Sequence, residues 1–123
     1  MDNVSTEVKM ESFQAFQSVI RKSENALANM AQKGSNTTLL DKRLKALYIG
    51  LAMLETAWYL KPHHYSEADL TEARHVLTGL FPLLENMDGK SKTGSPQKTL
   101  IERRIKAFEL AVQAMDEHLK NSN

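Results

Sequence analysis

The stretch Thr38–Leu60, TLLDKRLKALYIGLAMLETAWYL, decides the fold. Leu40, Leu44, Leu47, Leu51, Leu54 and Trp58 recur at spacings of three and four, the period of one helix face, with no strand-like alternation. Thr37 or Thr38 opens the segment with Asp41 placed as a capping-box partner, and Pro62 ends it. A second apolar stripe, Ala46, Ile49, Met53, Thr56 and Leu60, runs down the opposite side with Ala52 and Tyr59 beside it. A helix that is apolar on both sides should be covered on both sides. Either the other helices enclose it, or another protein or a second copy of the chain covers its outer face.

On either side of this segment the same period returns. Upstream, Phe13, Phe16, Ile20, Leu27 and Met30 form one stripe, with Ser23 as its gap and Lys33-Gly34 as a left-handed cap. Downstream, Ser66 caps a third segment carrying Leu70, Ala73, Leu77, Leu80, Leu84 and Met87. Ser95 and Pro96 open a fourth, with Ile101, Ile105, Phe108, Val112, Met115 and Leu119. The expected helices cover residues 6–33, 38–60, 66–87 and 96–120. Short polar connections between such stripes predict an all-α, antiparallel, up-down-up-down four-helix bundle. A three-helix core with a loosely docked first helix is the structural alternative, because that helix is the most polar. Pro82 removes a backbone hydrogen bond and clashes with the preceding turn, which predicts a kink or restart of the third helix near Leu80.

A chain of 123 residues suits one domain, 1–123. Its 41% hydrophobic and 25% charged composition is that of a globular protein, and a net charge of +1 gives no overall attraction to nucleic acid or membrane. The absence of cysteine excludes disulfides, thiolate metal sites and a thiol nucleophile. Residues 1–10 lack the basic-then-apolar order of a signal peptide, and the most apolar window, Ala46–Leu60, is shorter than the ~20 residues needed to span a bilayer. The expected location is cytoplasmic.

No catalytic or phosphate-cradling motif is present, so no enzymatic activity and no cofactor are expected. Glu72-x-x-His75 has di-iron spacing but occurs once, and the phase of the third helix points His75 outward. His63 and His64 lie near Tyr65 and Glu67, without a third ligand at recognisable spacing, and are read as solvated loop residues. No metal site is assigned.

Two features stand out. The first is the outer stripe of the second helix, which makes a non-enzymatic protein-interaction or regulatory module the leading reading, with Ile49, Met53, Tyr59 and Leu60 as anchors. The second is charge segregation. Lys90, Lys92, Lys98, Arg103, Arg104 and Lys106 face only Glu102, whereas Glu67, Asp69, Glu72, Glu85 and Asp88 face Arg74. Acids at the end of the third helix and Lys98 at the start of the fourth oppose the helix dipoles. Pairing across the third loop is the simpler explanation. The alternative function is an anion- or nucleic-acid-binding regulator using Lys92, Lys98, Arg103, Arg104 and Lys106, with nucleic acid the least favoured anion because no aromatics are interleaved.

Overall fold

The computed structural model describes residues 3–121 and places four helices in them: α1 Thr6–Gln32, α2 Thr38–Tyr59, α3 Glu67–Lys90 and α4 Pro96–Asn121. No strand occurs among the described residues.

α1, α3 and α4 each start where a capping side chain satisfies free backbone N–H groups. The Ser5 hydroxyl accepts from the N–H of Val8, and Ser95 accepts from that of Lys98. Ser66 and Asp69 form a reciprocal capping box, in which the Ser66 N–H holds the Asp69 carboxyl below its usual pKa, helped by Lys45. At α2 the N-cap is Thr37, whose hydroxyl donates to the Asp41 carboxylate instead of capping the backbone. After α1 the chain turns at Gly34, in the left-handed region with φ of 74°.

α1 runs antiparallel to α2, and α3 to α4, as the order of their contacts requires. Phe13 meets Trp58 while the later Glu24 meets the earlier Tyr48, and Arg74 pairs with Asp116 while Asp88 pairs with Lys98. The helices are not arranged as an even square. α2 and α4 approach each other across the core, whereas the backbones of α1 and α3 stay farther apart. Small residues of α4, Ala107, Ala111 and Ala114, are all buried beside Phe108 and Met115, giving that helix a broad inward face.

α1 is a full member of the bundle. Phe16 is completely buried, tilted against Phe108 at 5.2 Å between ring centroids, and α1 packs on both α2 and α4. Phe16 comes so close to α2 that a Cβ built on Gly50 would stand 2.8 and 2.9 Å from two of its ring carbons. Of the kink or restart expected near Leu80, the restart does not occur: α3 continues unbroken through Pro82 to Lys90. Pro82 is exposed, so its missing N–H and its ring fall on the solvent side, where the disruption costs least.

Candidate functional site

The outer stripe of α2 divides into a buried part and an exposed end. Ile49 and Met53 are each 1% exposed, which corrects the expectation that they are surface anchors. α2 is surrounded by the other three helices, and Ala46 and Ile49 face Ala73 and Val76 of α3. The second loop also folds back along α2, bringing Pro62, His63 and Tyr65 against Ala52, with the Thr56 hydroxyl donating to the Lys61 carbonyl at 2.6 Å. The two apolar faces of α2 therefore meet neighbours within one chain.

Tyr59 and Leu60 are different. They are 60% and 87% exposed, and Leu60 closes α2 in the left-handed conformation, with φ of 57°. The backbone there is fixed, because the Leu60 N–H donates to the Thr56 carbonyl at 3.0 Å and that of Lys61 to the Glu55 carbonyl at 3.4 Å. Beneath them lies an aromatic cluster: Phe13 stacks on Tyr59 at 5.7 Å and meets Trp58 edge-on at 5.4 Å. The Lys9 ammonium lies 5.9 Å from both the Trp58 and Tyr59 ring centres. Met10, exposed and one turn before Phe13 on α1, extends the apolar surface. The Trp58 indole N–H is enclosed without an acceptor among the described residues.

In the second loop His63 stacks on Tyr65 at 6.1 Å and meets His118 edge-on at 4.8 Å. Its Nδ1 accepts from the Tyr65 N–H at 3.1 Å. Burial, then the neighbouring His118 and His64, push its pKa below the ordinary value of 6.5. Glu72 and His75 are exposed, and no group of three or more His, Asp or Glu residues among the described ones is arranged to hold a metal ion. No helix among those residues is long and apolar enough to cross a membrane.

The basic stretch does not converge on one site. Lys98 donates to the Asp88 carbonyl at 2.8 Å and to its carboxylate at 3.1 Å, so it closes the C-terminal end of α3 and answers the dipole conflict seen in the sequence. Arg103 reaches the Glu11 carboxylate of α1 at 2.8 Å. Lys92 and Lys106 are exposed. Arg104 is half-buried, its Nε enclosed without an acceptor, and burial alone pushes its pKa down. Among the described residues no carboxylate compensates it.

Sequence reasoning put Arg104 in a basic patch and passed over its helical phase. Arg104 lies three residues after Ile101 and four before Phe108, both buried, so the period alone assigns it to the inward column of α4. Ser23 carries the same kind of signal: three residues after Ile20 and four before Leu27, it leaves a gap where the α1 stripe calls for a large apolar side chain. No protein-family model, no curated protein and no solved structure matches the chain, so the functional reading rests on its own residues.

Proposed function

We propose that the chain is a non-enzymatic interaction module, with Tyr59 and Leu60 at the exposed end of α2 as its contact residues for another protein or a second copy of itself. The observation that carries this reading is Leu60. A left-handed backbone costs a β-carbon-bearing residue about 1–2 kcal/mol, and glycine is the residue that ends helices there without strain. A leucine that is 87% exposed recovers none of that cost by burial. The fold alone favours glycine at this position, whereas a contact surface favours leucine.

Tyr59 adds a rigid aromatic anchored on Phe13, of the kind that contributes contact area at low cost in side-chain entropy. Lys9 beside it supplies a cation for a carboxylate at the rim of such a contact. The proposed surface is thus smaller than the whole outer face of α2.

The test is solution mass by light scattering over a concentration range, in low and high salt, for the wild type and for Leu60→Gly. An oligomer that persists in high salt and is lost in Leu60→Gly supports self-association. If the protein is monomeric throughout, a photo-crosslinking amino acid at position 60 should trap a defined protein that the same probe at exposed Gln97 does not. A monomer with no crosslink specific to position 60 rules the proposal out.

A further inference from the structure

A second site lies toward the other end of the bundle and does not depend on what binds at Tyr59 and Leu60. Between α1 and α3, whose backbones stay apart, a cavity of about 180 Å³ opens where Ser23 leaves the α1 stripe empty. Its walls are apolar, Leu47, Leu84 and Phe108 among them, and its charged lining residues are Arg43 and Arg104. No carboxylate lines it. Arg104 also borders a second groove between α1 and α4, where the nearby Glu11 is engaged by Arg103.

This combination is costly for the protein alone. A guanidinium stays protonated in any accessible condition, and a half-buried one without a partner loses hydration for no compensating bond. A ligand carboxylate would supply that bond, in the two-pronged geometry that guanidinium favours. Volume then limits the rest of the ligand. A cavity of about 150 Å³ holds a benzene ring, whereas drug-sized ligands occupy about 300–1,000 Å³. Nucleotides and long acyl chains are therefore too large, and a hydrocarbon body of about five to eight carbons fits.

We propose that this pocket binds a free, small apolar monocarboxylate, with its hydrocarbon body against Leu47, Leu84 and Phe108 and its carboxylate on the guanidinium of Arg104. Arg43 contributes a second cation at the same cavity.

Hexanoate and phenylacetate are the probes, each compared with its uncharged amide by protein-observed NMR titration, with thermal stabilisation as a second readout. Each acid should bind about tenfold or more tightly than its amide, the factor expected for a charge-assisted hydrogen bond, and should raise the melting temperature where the amide does not. Arg104→Met keeps the length and packing of the side chain and should bring acid and amide to equal affinity. Ser23→Leu should fill the cavity and abolish binding of both without loss of stability, whereas Arg103→Gln, which alters a cation outside the pocket, should leave binding unchanged. Equal affinity for acid and amide in the wild type, binding that survives Ser23→Leu, or no binding at millimolar probe would overturn the assignment. So would tighter binding of a short peptide ending in leucine than of either free acid, because the ligand would then be a chain terminus.

Discussion

Replacing Gly50 by alanine sets two terms of opposite sign against each other. In the interior of a helix, alanine is favoured over glycine by about 1 kcal/mol, so propensity alone predicts a more stable protein. Packing predicts the reverse. The new methyl carbon would stand 2.8 and 2.9 Å from Cε1 and Cζ of Phe16 and 3.3 Å from Cδ1 of Leu77. Carbon atoms in good contact are about 3.5–4.0 Å apart, so the ring must retreat by roughly 0.7 Å. It has no free space to enter, being wholly buried and held against Phe108. Overpacking of a filled core costs about 1–3 kcal/mol, and two contacts this short on a rigid ring belong at the upper end. The net expectation is a loss of about 2 kcal/mol.

For a chain of this size that corresponds to a fall of about 6–10 °C in melting temperature, readable by calorimetry or circular dichroism, with urea denaturation checking that the m-value is unchanged. Phe16→Leu supplies the partner for a double-mutant cycle. Adding Gly50→Ala in that background should be neutral or stabilising by up to about 1 kcal/mol, because the clashing ring edge is gone and the propensity gain remains. A Gly50→Ala variant as stable as the wild type, or a cycle in which the two effects simply add, would refute the close approach of α1 and α2 as the reason for glycine here.

Three other perturbations follow from the same structure. Leu60→Gly should stabilise the monomer by about 1 kcal/mol, seen as a higher urea midpoint, since it removes left-handed strain and exposes no new apolar surface. Lys98→Met should cost about 1–2 kcal/mol in the same assay by leaving the Asp88 carbonyl and carboxylate at the end of α3 without their cation. The His63 pKa is lowered on folding, so below pH 6.5 the unfolded chain takes up that proton before the folded chain does. Stability should therefore be flat above 6.5 and fall as the pH drops through the lower folded value, and His63→Gln should lessen that fall.

The helices were legible because their large apolar residues keep one period and their caps are conventional: Ser66 with Asp69, Ser95 before Pro96, and Gly34 after α1. What covers the second face of α2 was not legible, because a period shows that a face is apolar and not which surface meets it. The answer depends on α3 and on a loop that folds back, neither of which leaves a mark within α2 itself. The alanines of α4 were missed for a related reason: Ala107, Ala111 and Ala114 add little to a hydropathy stripe, yet all three are buried. Pro82 falls opposite the apolar stripe of α3, and the helix runs through it on the solvent side. Within the candidate sites, Tyr59 and Leu60 were named from the sequence, whereas Arg104 appeared there as one of several surface cations and Ser23 only as a gap.

Leu60 and Arg104 share a property that most of this chain lacks. At many other positions local preference and global packing agree, as the capping box at Ser66 and the lysine bound at the end of α3 illustrate. At these two positions the residue present works against the stability of the isolated chain, one through backbone strain and the other through an uncompensated charge, and such departures concentrate at functional sites. The two are separable. From Arg43, which shares the Arg104 cavity, to Tyr59 the helix rises about 24 Å at 1.5 Å per residue, well beyond the distance at which substitutions interact. Leu60→Gly and Arg104→Met should therefore each stabilise the unliganded protein by about 1 kcal/mol, and their effects should add to within about 0.5 kcal/mol in the double variant. Each should remove one binding property and spare the other. A double variant less stable than the wild type would mean that at least one of the two residues serves the fold, and the shared argument that both are retained for binding would fail with it.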